Sequence, residues 1–182
     1  MRAAAGLALF ACTPAQAPHS IPGEFLGTDG VTHPLVDPQA SFTVVEFFSA
    51  HCPCQAKHDE RLRALAANYR DKAVAVIAVD SEADATASRD DVEAARRRYP
   101  YPILVDPDGV AARAMKADYA TYSLLLDSTG QVLYRGGIDS DQTHLRDDAT
   151  PYLRNAIDDA LAKRPVKLRE AKTLGCSLML KP

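Results

Sequence analysis

Val44-Val45-Glu46-Phe47-Phe48-Ser49-Ala50-His51-Cys52-Pro53-Cys54 decides the fold. The run from Val44 to Phe48 is apolar but for one acid, and rich in β-branched and aromatic side chains. That composition predicts a buried strand over 42–48. Residues 55–70 follow with helical spacing, so the two cysteines fall where a strand ends and a helix begins. Unpaired backbone N–H groups and the positive end of the helix dipole stabilise a thiolate at such a place. A cysteine there can have its pKa lowered from about 8.5 into the range of roughly 3.5–7.5, which makes it a nucleophile at neutral pH.

Working outward, 73–80 (Ala-Val-Ala-Val-Ile-Ala-Val-Asp) is a continuous apolar run, the pattern of a parallel strand covered on both faces. Spacing predicts a helix over 89–99, a strand over 102–105 and a short helix over 110–116. A strand over 122–127, the turn Asp127-Ser128-Thr129-Gly130 and a partner strand over 131–136 make a hairpin. A last helix over 151–163 carries Leu153, Ile157 and Leu161 on one face. Ahead of the first central strand, Asp29-Gly30 predicts a small hairpin turn within 23–36. The order of elements is that of an α/β protein: a central mixed β-sheet flanked by helices, with an N-terminal β extension.

The chain divides into a leader and tether over 1–22, one domain over 23–163, and a C-terminal tail over 164–182 that carries Cys176. With 182 residues, 47% apolar and 25% charged, it can bury a core and does not fit a disordered class. The net charge of −3 gives no reason to expect nucleic acid as a partner. Arg96-Arg97-Arg98 and Lys163-Arg164 read as solvated helix ends.

Met1 to Cys12 has one positive charge and then a short apolar run, too short to span a bilayer. It reads as a secretory leader. Leu9-Phe10-Ala11-Cys12 resembles a bacterial lipoprotein box, with Cys12 as the lipid anchor, while Ala15-Gln16-Ala17 offers an ordinary cleavage site. The expectation is export to the periplasm or cell envelope with anchoring through Cys12. Disulfide chemistry is at home in that compartment.

The strand-and-cysteine segment from Val45 to Cys52 resembles the approach to the active site in thioredoxin-like proteins. The segment Leu104-Val105-Asp106-Pro107-Asp108-Gly109-Val110-Ala111 and the hairpin from Leu125 to Gly136 resemble the redoxin and TlpA-like branch, which is related to the peroxiredoxins. The resemblance implies a thioredoxin-like fold and an enzyme that exchanges dithiol for disulfide with protein substrates and a redox partner protein. It implies no cofactor and no resident metal. Cys52 takes the nucleophilic position and Cys54 the place nearest the usual resolving cysteine. Glu46, a lone acid in an apolar strand, matches a buried carboxyl that relays a proton; burial should raise its pKa. Cys176 is a second candidate for the resolving thiol, with an inert buried cysteine as the alternative.

The chain departs from the family pattern in three places. One residue, not two, separates Cys52 from Cys54. Two positions apart on a helix point about 200° away from each other, so their disulfide would be strained and easily reduced. That suits an oxidant or isomerase. Thr121 occupies the place of the family's cis-proline, where a trans peptide is expected. His51 replaces a tryptophan, either to favour the Cys52 thiolate or as a half-exposed loop residue. Two other activities remain open. Cys52, Cys54 and His58 could form a two-sulfur, one-nitrogen site for Cu(I) or Zn(II), and copper chaperones on this fold bind through two cysteines and a distant histidine, although His58 reads as an exposed helix residue. Ser49 partly matches a peroxidase motif, but Val45 stands where that motif has proline.

Overall fold

A computed structural model describes residues 23–182. The leader, the tether and Cys12 lie outside the described residues. A two-stranded antiparallel ribbon comes first, β1 (Glu24–Leu26) and β2 (Thr32–Pro34). Gly30 at the turn has φ 78°, a left-handed conformation that glycine adopts without steric cost.

The main sheet has five strands: β3 (Phe42–Phe48), β4 (Val74–Asp80), β5 (Ile103–Val105), β6 (Tyr122–Asp127) and β7 (Val132–Gly137). Their order across the sheet is β5-β4-β3-β6-β7. β4 runs parallel to β3 and to β5, while β6 is antiparallel to β3 and β7, so the sheet is mixed. The helices are α1 (Pro53–Tyr69), α2 (Ala87–Arg97), α3 (Val110–Met115) and α4 (Tyr152–Leu161).

β3 is the central strand, which explains its near-continuous apolar sequence. Period-two alternation sends Val44, Glu46 and Phe48 to one face and Val45 and Phe47 to the other. On the first face Val44 and Phe48 meet Leu62 and Leu65 of α1, and Leu153 and Ile157 of α4. On the second, Val45 and Phe47 meet Ala111 and Met115 of α3, with Leu178 from the tail. Cys52 and Cys54 belong to this second cluster.

The tail does not trail into solvent. Its bridge from Glu170 to Arg135 covers the edge of β7, with N–H groups of Arg135 and Ala171 donating across at 3.0 Å. Gly136 is needed there: its φ is 138°, and a Cβ would collide with the Ala171 backbone. The chain then crosses to the loop before β6 and ends against α3, where Lys181 pairs with Asp108 at 2.7 Å.

Two sequence expectations need correction. Arg97, read as part of a solvated basic run, is only 4% exposed. Its guanidinium pairs with Asp59 at 2.8 Å and Glu93 at 3.0 Å, and lies over the Phe48 ring. His58 is not an exposed helix residue but is 3% exposed. Buried positions of α1 are Cys54, Gln55, His58, Leu62, Leu65 and Tyr69, so His58 falls on the inward stripe.

Candidate functional site: three thiols at the start of α1

Cys52 is the N-cap residue of α1, with extended backbone (φ −86°, ψ 116°). Pro53 fills the first helical position, where its missing N–H leaves nothing unpaired. Cys54 sits one residue into the helix. The 200° separation expected of two helical positions therefore does not hold, because Cys52 is outside the helix. The Cys52 and Cys54 sulfurs lie within 4.8 Å of each other and of a third sulfur, that of Cys176.

Cys176 comes into direct contact with Cys52. Its Sγ is 2.8 Å from Cys52 Sγ, across 124 residues of sequence. A disulfide bond is about 2.05 Å long, so these are two thiols facing each other with little distance left to close. Backbone pairing brings them together. Tyr119 and Ser177 form an antiparallel bridge; the Ala120 N–H donates to the Cys176 carbonyl at 2.8 Å, and the Leu178 N–H to Asp118 at 2.9 Å. Gly175 lies so close to this loop that a Cβ would collide with the Ala120 carbonyl. Next in sequence, Thr121 has φ 63° and donates its N–H to Phe47 at 2.9 Å. Among the described residues no peptide bond is cis, in keeping with the trans expectation at Thr121.

Cys52 and Cys54 are 2% and 4% exposed. Burial raises the Cys54 pKa first, and the charge of a neighbouring Cys52 thiolate raises it further. Burial and the contact with Cys52 push Cys176 up to about 12. Negative charge at Cys52 thus favours the protonated forms of Cys54 and Cys176.

Glu46 lies in the middle of β3, opposite Ala78 on one side and Ser123 on the other. It is fully buried, and among the described residues neither carboxyl oxygen has a hydrogen-bond partner. Burial pushes its pKa up to about 8; the Gln55 amide acts against this, and the charge of Cys52 adds to it. Gln55 Oε1 also lacks a partner among the described residues. From Gln55 a polar chain leads outward. Its amide donates to Tyr99 Oη at 2.9 Å, and Tyr99 donates to Asp59 at 2.6 Å.

Neither His51 nor His58 joins the sulfur cluster. His58 bonds the Cys54 carbonyl through Nδ1 at 2.9 Å and Asp139 through Nε2 at 3.2 Å. Burial alone would lower its pKa, but the Asp139 and Cys54 bonds outweigh it and raise it. His51 is on the rim, 3.0 Å from Asp84. Asp84 also pairs with Arg89, which in turn holds Asp80 and Asp90 behind it. Burial and the Asp90 charge push Asp80 up to about 8. Sequence reading missed this cluster and the Asp139 partnership. Asp80 alone carried a signal, as an acid at the end of an apolar strand.

Ser49 Oγ accepts the His51 N–H at 3.2 Å and so braces the loop ahead of Cys52.

A nucleophile position at a strand–helix junction, two further thiols and a buried acid on a mixed sheet define a thiol-redox protein of thioredoxin-like fold. The chain matches the Redoxin family over residues 14–153 and belongs to it. No curated protein matches the chain. An uncharacterised conserved protein from Geobacillus kaustophilus is 27% identical, with TM-score 0.80, over 88% of this chain and 89% of that one. A hypothetical protein from Sinorhizobium meliloti is 24% identical, with TM-score 0.79, over 87% and 90%. A putative thiol:disulfide interchange protein DsbE from Chlorobium tepidum is 24% identical, with TM-score 0.60, over 76% and 92%.

Proposed function

We propose that this chain is a thiol–disulfide oxidoreductase in which Cys52 forms the mixed disulfide and Cys176 resolves it. The observation that carries the reading is the 2.8 Å approach of the Cys52 and Cys176 sulfurs. The Cys52 thiolate attacks one sulfur of a substrate disulfide. A Cys52–substrate bond forms, the substrate S–S bond breaks, and the other substrate sulfur leaves as a thiolate. Cys176 then attacks Cys52 Sγ, the second substrate sulfur leaves, and two electrons have passed to the substrate. The reverse sequence oxidises a substrate dithiol. Glu46, protonated near neutrality, gives its proton to the leaving thiolate and recovers one from the attacking thiol. A dithiol partner protein restores the starting state.

Mapping the oxidised protein by mass spectrometry after alkylation tests the assignment. Cys54→Ser is expected to retain a Cys52–Cys176 disulfide and to release substrate. A Cys52–Cys54 bond in the oxidised wild type would give the resolving role to Cys54 instead. Cys52→Ser that exchanges disulfides at the wild-type rate would end the reading altogether. Rapid peroxide turnover surviving both Cys54→Ser and Cys176→Ser would make the chain a one-cysteine peroxidase.

We further propose that the protein works in the cell envelope, anchored through Cys12. The sequence from Met1 to Cys12 supports this. Cys12→Ala should shift the protein from the membrane fraction to the soluble one.

A further inference from the structure

We propose that the reduced Cys52, Cys54 and Cys176 sulfurs form an all-sulfur, three-coordinate site for one Cu(I) ion. The three Sγ atoms all lie within 4.8 Å of one another. Around an ion with metal–sulfur bonds of about 2.3 Å, three sulfurs stand about 4 Å apart. One separation is 2.8 Å and none exceeds 4.8 Å, so small side-chain shifts bring all three to that value. Opening the short contact by about 1 Å is a side-chain rotation for Cys176, which is half-buried, while its backbone stays pinned to Ala120.

The donor set selects the ion. Thiolate is a soft ligand and favours Cu(I) and Zn(II). Structural zinc takes four ligands in a tetrahedron. Among the described residues a fourth does not present itself: both ring nitrogens of His58 are engaged by Cys54 and Asp139, and the His51 ring pairs with Asp84. The ligand set is thus two cysteines from the start of α1 and one from the tail, with no histidine. Three thiols lose protons to solvent as the ion binds, and no electron is transferred. The N-terminal end of α1 offsets part of the negative charge left on the sulfurs.

Binding of Cu(I) in this way is independent of disulfide exchange, so the two readings fail separately. The full chain, reduced and oxygen-free, is titrated with Cu(I) against a chromogenic Cu(I) chelator. One ion per chain is expected, with affinity falling at least about 100-fold in Cys176→Ser and unchanged in His51→Ala. X-ray absorption on the loaded wild type needs no variant to fold, and should give three sulfur neighbours at about 2.3 Å and no nitrogen. Unchanged affinity in Cys176→Ser, a nitrogen neighbour, or a two-sulfur site would each overturn the proposal, as would the absence of binding.

Discussion

Replacing Glu46 by glutamine keeps the shape of the side chain and removes its proton chemistry. The consequence can be worked out from burial. The carboxyl pKa rises from an ordinary 4.5 to about 8 on folding, because the group is fully buried with neither oxygen paired. Between those values the folded protein holds a proton that the unfolded chain has lost. Stability therefore falls as pH rises through this window and levels off above about 8. At about 1.4 kcal/mol per pH unit the full loss is about 5 kcal/mol, of which about 3 is already incurred at pH 7. An amide does not titrate, so Glu46→Gln escapes this loss. It bears only a constant cost for its own burial. Asp80 also titrates near 8, in the same direction, but it is present in both proteins and cancels from the difference. Urea unfolding of both proteins at pH 5, 7 and 9, kept reduced with a phosphine, measures it. The variant should gain on the wild type by several kcal/mol between pH 5 and 9. In single-turnover release of the mixed disulfide, it should also lose an inflection near pH 8. Parallel stability profiles would refute the reasoning, since they would mean that Glu46 binds protons equally well folded and unfolded.

Two further outcomes follow from the same geometry. Asp139→Ala leaves the buried His58 and the half-buried Arg61 without their shared carboxylate, and unpairing a buried charge costs about 3–5 kcal/mol. The His58 pKa is raised and that of Asp139 lowered. The loss, measured by urea unfolding, should therefore be largest between about pH 4 and 6.5 and shrink on either side. Gly175→Val should lift the tail from Ala120, since the added Cβ has no room. Alkylation of Cys52, slow while it is 2% exposed, should then speed up at least about tenfold, with α1 and the sheet intact by circular dichroism.

What could be read from the sequence depended on distance along the chain. β3 and β4 announced themselves because central strands are apolar on both faces, and the hairpin of β6 and β7 because its turn residues are local. Glu46 was visible as the one charge in an apolar run. His58 was misread because its partner Asp139 lies 81 residues away, and because Gln55 and His58 interrupt the apolar stripe of α1 that would have marked the inward face. Arg97 was misread for the same reason, its partner Asp59 being 38 residues distant. The Cys52–Cys176 approach was open only as one alternative for the spare cysteine, and no local pattern could decide it. It rests on backbone pairing between the tail and residues 118–120, which leaves no periodic pattern of side chains.

That pairing changes what the short Cys-Pro-Cys spacing means. Read on its own, the motif is a cramped two-cysteine pair. With Cys52 extended and Cys176 brought alongside, Cys52 faces two potential partners, one on the first turn of α1 and one on a strand-like tail. The tail also covers the sulfurs: the Ala83 N–H donates to Met179 at 2.8 Å, tying the loop after β4 over the same face. A substrate disulfide has to displace that cover to reach Cys52, which is 2% exposed. Docking of Cys176 therefore does two things at once. It supplies a second sulfur 2.8 Å from the first, and it restricts which disulfides can approach it. A tail freed by Gly175→Val should lose both properties together, with faster attack on large substrates and slower release of the mixed disulfide. Faster attack with unchanged release would separate the two roles and return resolution to Cys54.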